Sequence, residues 1–166
     1  MSKIILYPDN LLTQESLQVE SFDENLTKLF QEMEQAMARE NGMGISAVQI
    51  GVLSRAMIVK DEDGSLLKIV NPQLIDDPLA SNTFLKEGCL SIPGVHIPVR
   101  RKEDAQVSYK DDKGEERNVF LSGWAARCFY HELDHLNGKT LFDHVANFQK
   151  GDMLKKYNRA KKKLGI

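Results

Sequence analysis

Residues 122–138 read SGWAARCFYHELDHLNG, and this stretch sets the expected centre of the fold. Ser122 is a residue type that favours the N-terminal cap of a helix, and Gly138 is a type that favours its end. No proline or glycine interrupts the chain between Trp124 and Asn137. We therefore predict one helix that begins after Ser122 and ends at about Asn137.

This helix carries a pattern typical of metal binding. His131 and His135 are four residues apart, so they lie on one helix face and can hold one metal ion. Glu132 follows the first histidine, where it can act as a general base toward a water on that metal. A solvated helix that carries two histidines by chance is the competing interpretation of so short a motif.

A catalytic metal of this type needs a third protein ligand. Glu132 is the last glutamate of the chain, which excludes the metallopeptidases that use a glutamate further downstream. In the pattern that adds a third histidine, the final position is Leu141, and His144 comes three residues too late. Asp143 and Asp152 remain possible, although neither lies in a supporting pattern.

Two upstream cysteines are also available as the third ligand. Cys89 lies in EGCLS at residues 87–91, where a glycine allows close backbone approach, and residues 92–94 (Ile-Pro-Gly) are expected to form a turn. Cys128 precedes His131 by three residues and shares its helix face. A thiolate binds such metals strongly. We favour Cys89, whereas Cys128 is either the competing ligand or a packed core residue.

The remaining pattern predicts an α+β fold in which mostly antiparallel strands surround the central helix. An N-terminal helix is predicted from about Phe22 to Glu40, with Ser21 as its cap. The other predicted elements are strands at 56–60 and 66–70, closed by Asn71-Pro72, strands at 105–110 and 117–121, and a basic C-terminal helix at about 148–163.

The composition is that of an ordinary globular protein. The 166 residues are 42% hydrophobic and 28% charged, with a formal net charge of −2, so nothing drives the whole chain toward nucleic acid or membrane. We expect a chain of this length to form one domain, and we expect a monomer. Because no segment resembles a signal peptide or a membrane span, we also expect a cytoplasmic location. Residues 150–163 nevertheless carry seven Lys or Arg against one Asp.

A third notable segment, residues 42–51, reads GMGISAVQIG. The glycines on either side of Met43, Gly42 and Gly44, allow a bound peptide to approach the backbone closely. Gln49 carries a neutral amide that can donate a hydrogen bond to a developing oxyanion. A glycine-rich turn that leads into a core strand is the simpler interpretation of the same residues.

Together, segments 42–49, 87–91 and 131–135 resemble the motifs of peptide deformylases in order, spacing and residue identity, and the chain resembles that family's bacterial type from end to end. The resemblance implies one catalytic domain over residues 1–166. It also implies a hydrolase that removes the formyl group from the N-terminal formylmethionine of new polypeptides and releases formate.

The resemblance implies roles for individual residues as well. The metal ligands would be Cys89, His131 and His135, which would hold Fe²⁺ natively, with Zn²⁺, Ni²⁺ or Co²⁺ as substitutes. Glu132 would move the proton, and Gln49 and the backbone N–H of Leu90 would stabilise the oxyanion. The extended peptide would lie against Met43, Gly44, Glu87, Gly88, Trp124, Arg127 and Cys128.

Two positions depart from the family pattern. Arg127 replaces a commonly apolar residue of the methionine pocket, so its side chain is expected either to reach solvent with only its stem packed, or to alter the substrate preference. Tyr130 stands where the family usually has Gln, which changes the surroundings of the metal ligands in an unspecified way.

The basic C-terminal helix has two interpretations. Most charge runs on terminal helices are simply solvated. In bacterial deformylases, however, such a helix docks on the ribosome, and its cations would suit contacts with phosphate. Two rival functions also remain: a general metallopeptidase that uses the same His131–His135 motif, and a non-catalytic, metal-stabilised domain that binds RNA or the ribosome.

Overall fold

The computed structural model describes residues 2–166, which form three α-helices and seven β-strands. The helices are α1 (Glu24–Arg39), α2 (Gly123–Leu136) and α3 (Asn147–Leu164). The strands are β1 (Gly44–Ser46), β2 (Ala56–Lys60), β3 (Leu66–Ile75), β4 (Asn82–Cys89), β5 (Ile92–Lys102), β6 (Asp104–Lys110) and β7 (Glu116–Ser122).

All strand pairing is antiparallel. Five strands form one sheet in the order β1-β2-β3-β6-β7, and β4 and β5 form a separate two-stranded ribbon. The α+β prediction is therefore confirmed, and so are both predicted hairpins, β2–β3 and β6–β7. The β4–β5 ribbon was not predicted as a hairpin.

The five-stranded sheet is covered on both faces by helices, and β2 shows why. Its residues alternate between the two sides: Ala56 and Ile58 pack with α1, whereas Met57 and Val59 pack with α2. All four side chains are fully buried. A strand buried on both faces must be continuously apolar, which the sequence of β2 satisfies. Burying one Ile or Val of this kind contributes roughly 1.5–3 kcal/mol.

The two faces of the five-stranded sheet thus form two hydrophobic cores, and a third core lies under the β4–β5 ribbon. Ile92, Val95 and Ile97 of β5 pack against Phe142 and against Tyr157 of α3. Tyr157 is 1% exposed, and its hydroxyl donates to the backbone carbonyl of Tyr7 at 3.0 Å. Because a buried phenol needs such a partner, this bond fixes α3 and the N-terminal segment together. The basic C-terminal helix is thus part of the packed structure.

The C-terminal end of α2 is anchored by neighbouring backbone and side-chain donors. The carbonyl of Leu136 accepts from the backbone N–H of Ser16 at 2.9 Å and from the guanidinium of Arg55 at 3.1 Å. Such bonds satisfy carbonyls that a helix leaves free at its end. Gly138, at φ +71°, then turns the chain away.

Two local predictions were wrong at helix and strand ends. Asp23, not Ser21, caps α1, because its carboxylate accepts from the N–H groups of the first turn. Asn71-Pro72 does not end β3, which continues to Ile75 through a shift in pairing register. The side-chain amide of Asn71 bonds both backbone groups of Val19 at 2.8 Å, which stabilises this irregularity.

The predicted turn at residues 92–94 is also wrong, since these residues begin β5. The turn lies one step earlier, at Leu90-Ser91, because Cys89 pairs with Ile92 across the ribbon. A ribbon tolerates the prolines of β5 since, within residues 2–166, each of its strands has one edge without a partner strand. This tight turn is what presents Cys89 at the tip of the ribbon.

Across residues 2–166, no helix combines the length and the apolar content needed to cross a membrane.

We predict opposite effects for alanine at two glycines. At Gly138 the positive φ and a Cβ only 2.7 Å from the carbonyl oxygen of Thr13 oppose substitution. Gly138→Ala should lower the free energy of unfolding by at least about 1 kcal/mol. Gly151, in α3, has no atom within 4 Å of an added Cβ. Gly151→Ala should raise the stability by about 0.5–1 kcal/mol. Urea denaturation measures both, and a neutral Gly138→Ala would contradict the described anchoring of α2.

Candidate metal and catalytic site

Three predicted metal ligands meet where the β4–β5 turn reaches α2. Cys89 is the last residue of β4, and His131 and His135 lie on one face of α2. Their ligand atoms all lie within 4.8 Å of one another, and the Cys89 Sγ is 3.3 Å from the His135 Nε2. All three residues are buried. One thiol and two imidazoles this close together fit the donor set of a single transition-metal ion.

The surroundings of Cys89 favour its ionised form. Burial opposes ionisation, but the neighbouring His135 and His131 hold the pKa of the Cys89 thiol well below its ordinary value. The thiolate is the form of cysteine that binds metal. Cys89 therefore has both the position and the electrostatics of a ligand.

Cys128, the competing cysteine, lies outside this group. Its Sγ donates to the backbone carbonyl of Met43 at 3.2 Å. Burial raises the pKa of the Cys128 thiol well above its ordinary value, and the carboxylate of Glu132 adds to the effect. A neutral, hydrogen-bonded thiol is a poor ligand. Cys128 instead packs against Gly44, where an added Cβ would lie 2.4 Å from its Sγ.

Glu87 orients the first histidine. Its Oε1 is 3.0 Å from the Nδ1 of His131, which assigns the ring proton to Nδ1 and leaves Nε2 directed at the site. Burial alone would raise the pKa of Glu87, but hydrogen bonds from His131 and Arg101 lower that pKa to about 2. Glu87 is thus a carboxylate, and it accepts from Arg127 as well, at 2.6 Å.

Glu132 is placed for proton transfer. It is 3% exposed, and its Oε2 has no hydrogen-bond partner among residues 2–166. Burial raises the pKa of Glu132, against the opposing influence of His131 and His135. A buried carboxylate oxygen without a partner needs a functional explanation. The absence of a side chain at Gly44 leaves room for the Glu132 carboxylate, because a Cβ there would lie 3.0 Å from the Glu132 Oε1.

Gln49 lies in a short helical turn at residues 47–50, and Ser46 holds its side chain in one orientation. Its Oε1 accepts from the backbone N–H of Ser46 at 3.0 Å and from the Ser46 hydroxyl at 3.2 Å. Its Nε2 consequently faces the site, 3.1 Å from the Oγ of Ser91 and 3.7 Å from the Sγ of Cys89. The amide therefore presents its N–H groups beside the ligand cluster.

A cleft of about 590 Å³ opens onto these groups. It runs between β1, the β4–β5 ribbon and α2. Within residues 2–166, β1 pairs only with β2, and Gly44 of β1 lines the cleft. Twelve of the thirteen predicted site residues line it: Met43, Gly44, Gln49, Glu87, Gly88, Cys89, Leu90, Trp124, Arg127, Cys128, His131 and Glu132. His135 lies behind them, 1% exposed.

Arg127 does not reach solvent, so the first expectation for it is wrong. It is 4% exposed, and its guanidinium binds Glu87, Thr83 and the carbonyl of Val99. The physical reason is a buried carboxylate within reach, which offers a stronger partner than water at the protein surface.

Tyr130, the second position that departs from the family pattern, and the predicted substrate contact Trp124 both lie apart from the ligand group. Tyr130 points away from the site, and its hydroxyl donates to the carbonyl of Asp104 at 2.8 Å on β6. It therefore makes no hydrogen bond with the predicted ligands among the described residues. Trp124, in the first turn of α2, is 60% exposed at the rim of the cleft.

Several residues that support the site were not predicted. Ser46 and Ser91 orient Gln49, and Arg101 binds both Glu87 and Asp134. The pair Ser46 and Gln49 had a local signal, since a Ser three residues before a Gln forms a capping box. Arg101 had none, because it is 14 residues from Glu87 and meets it only through the ribbon pairing.

Comparison with known proteins gives a consistent result. A model of the polypeptide deformylase family matches residues 1–151. The peptide deformylase of Rickettsia akari is 36% identical over 169 residues, with 95% of each chain covered. A peptide deformylase crystal structure from Legionella pneumophila is 32% identical and superposes with a TM-score of 0.92, over 99% of this chain and 98% of the other. That of Ehrlichia chaffeensis in complex with actinonin is 34% identical, with a TM-score of 0.89 and 98% of each chain covered. The chain therefore belongs to the polypeptide deformylase family.

Proposed function

We propose that this enzyme hydrolyses the N-formyl group of the N-terminal formylmethionine of newly made polypeptides and releases formate. The observation that carries the proposal is the convergence of the Cys89, His131 and His135 ligand atoms within 4.8 Å, next to Glu132, whose Oε2 has no hydrogen-bond partner in residues 2–166. Family membership supports the same reaction. We further propose that residues 1–166 act as one catalytic domain.

The three ligands would hold one divalent metal ion. A thiolate and two imidazoles suit Fe²⁺, Zn²⁺, Ni²⁺ and Co²⁺, and the family resemblance favours Fe²⁺ as the native ion. When bound, such an ion lowers the pKa of water and polarises a carbonyl group. The protein's own residues must then position the substrate and move the proton.

Glu132 is the residue that moves the proton. From its buried position it takes a proton from the attacking water and passes it to the departing amine. Its raised pKa, which burial causes, suits a group that must hold a proton briefly and then release it. The Nδ1 of His131 is already engaged by Glu87, so the histidine is a less suitable base.

Gln49 and Leu90 would stabilise the negative charge that develops on the formyl oxygen. The Gln49 amide is fixed before the substrate arrives, because Ser46 holds its oxygen and turns its Nε2 into the cleft. The backbone N–H of Leu90 follows Cys89 at the tip of the ribbon. Donors fixed in advance lose little energy to reorganisation during the reaction.

The peptide would bind as an added strand along the open edge of β1. Gly44 on β1 and Gly88 on β4 both line the cleft and would face the peptide from either side. Met43, Trp124, Cys128 and the stem of Arg127 would contact its first side chain. Glu87 would contribute indirectly, by orienting the ring of His131.

We also propose a location and a partner. The substrate exists where polypeptides are made, which favours the cytoplasm. All three metal ligands come from one chain, which supports a monomer. The lysines and arginine of α3 that suit ribosomal RNA are Lys155, Lys156, Arg159, Lys161, Lys162 and Lys163. Tyr157 of the same helix packs into the core, and Lys161 lies over its ring, whereas the other five cations are exposed.

The two cysteines should differ in metal binding. Anaerobically purified wild-type protein should contain about one metal ion per chain. Cys89→Ala should lose most of this metal because it removes a ligand, whereas Cys128→Ala should keep it. Metal analysis of the dialysed proteins measures the difference. Retained metal in Cys89→Ala, with loss in Cys128→Ala, would reverse the assignment.

Glu132→Ala should keep its metal and lose activity. A positioned general base contributes about a hundred- to ten-thousand-fold to the rate, so formate release from formyl-Met peptides should fall by a factor in this range. Glu116→Ala, at an exposed position on β7, is the matched control and should behave as wild type. The wild type should not cleave unformylated peptides. Cleavage of those, or near-normal turnover by Glu132→Ala, would contradict the proposal.

Reversing charges on α3 should weaken binding to ribosomes. Truncation would remove Tyr157 and open a core, so the sharper variant is Lys155→Glu, Arg159→Glu and Lys162→Glu together. Co-sedimentation with ribosomes should fall and should depend steeply on salt, because phosphate contacts release counterions. The matched control reverses three exposed lysines elsewhere: Lys28, Lys113 and Lys139. Equal co-sedimentation of both variants would exclude α3 as the contact.

A further inference from the structure

We propose that Arg127 is a positioning residue, which acts through Glu87 to fix the ring of His131 in the orientation that binds metal. The inference rests on the metal site proposed above and extends it to a residue that makes no contact with the ligand group itself. Three observations carry it: the contacts of Arg127, the saturation of Glu87, and the charge balance around them.

Both terminal nitrogens of the Arg127 guanidinium are engaged, which leaves the group little freedom. One nitrogen donates to the Glu87 Oε2 at 2.6 Å and to the carbonyl of Val99 at 3.1 Å. The other terminal nitrogen donates to the carbonyl and hydroxyl of Thr83, at 3.1 and 2.8 Å. These are four of the five donors that an arginine has. Arg127 therefore ties α2 to both strands of the ribbon.

Glu87 is correspondingly held at both oxygens. Its Oε1 accepts from His131 at 3.0 Å and from Arg101 at 3.1 Å. Its Oε2 accepts from Arg101 at 3.1 Å and from Arg127 at 2.6 Å. Removing Arg127 takes away the shortest of these four bonds. The carboxylate could then rotate, and the His131 ring that it orients would lose its fixed direction.

Arg127 also gives Glu87 a positively charged partner that it does not share with Asp134. Glu87 and Asp134 supply two negative charges, and Arg101, which binds both of them, supplies one positive charge. Arg127 supplies the second. Without it, Glu87 would share the guanidinium of Arg101 with Asp134, whose other partner is His144 at 2.7 Å, and the buried carboxylate of Glu87 would be less fully compensated.

An arginine is also required by geometry. The planar guanidinium reaches Glu87, Thr83 and Val99 at once, whereas the single ammonium of a lysine cannot reproduce this fork. Arg127→Lys should therefore restore the charge without restoring all of the contacts. Arg127→Met removes both while retaining an apolar stem of similar length.

The test measures metal binding rather than turnover. Zn²⁺ affinity is determined by competition with a chelator, and the visible spectrum of the Co²⁺-loaded protein reports the ligand geometry. Arg127→Met should weaken Zn²⁺ binding about 10–100-fold and change the Co²⁺ bands, as loss of a residue that supports a ligand does. Arg127→Lys should fall between this variant and the wild type. Arg100→Met, on the exposed face of β5, is the matched control and should match the wild type.

A double-mutant cycle shows whether Arg127 acts through Glu87. In a Glu87→Gln background, Arg127→Met should cost much less Zn²⁺ affinity than it does in the wild type, because the positioning carboxylate is already gone. Losses that simply multiply would overturn the proposal. So would wild-type Zn²⁺ affinity with an unchanged Co²⁺ spectrum in Arg127→Met, or in Arg127→Lys if the methionine variant does not fold. A wild type that binds neither metal would overturn the proposed function and this inference together.

Discussion

The position of the Cys89 Sγ, 3.3 Å from the His135 Nε2, is the constraint on which the rest of this structure depends. It joins the tip of the β4–β5 ribbon to the last turn of α2, two elements that belong to different cores. An error of about 1 Å in either element would prevent the three ligands from sharing one ion. The fold therefore has to fix both elements from outside the site.

Each element is fixed by contacts other than those among the three ligands themselves. The ribbon rests on α3 through Tyr157, so the basic terminal helix has a structural role whatever it binds. The end of α2 is held by Ser16 and Arg55. The network of Glu87, Arg101 and Arg127 then connects ribbon and helix directly, with charged groups whose buried charges compensate one another. Rigid support of this kind is what a preorganised site requires.

The sequence predicted the parts of this arrangement that have local signals. Helix α2, its histidine pair, the two hairpins and the favoured Cys89 were all accessible from residue spacing or from the family resemblance. The ribbon, the burial of Arg127 and the role of Arg101 could not be predicted in this way, because each depends on partners that are distant in sequence. Arg127 is the clearest case: long basic side chains usually reach water, and only the fold reveals the carboxylate of Glu87 that keeps this one buried. Ser21 failed as a cap for a smaller reason, since Asp23 offered the same chemistry two residues later.

The central claim is that one thiolate and two imidazoles from this chain hold a single metal ion. X-ray absorption at the metal edge, on protein loaded anaerobically with Zn²⁺ or Co²⁺, tests it most directly. The account predicts one sulfur at about 2.3 Å and two imidazole nitrogens at about 2.0–2.1 Å, with any remaining donor an oxygen. A metal environment without sulfur, or one with two sulfurs because Cys128 also binds, would contradict it.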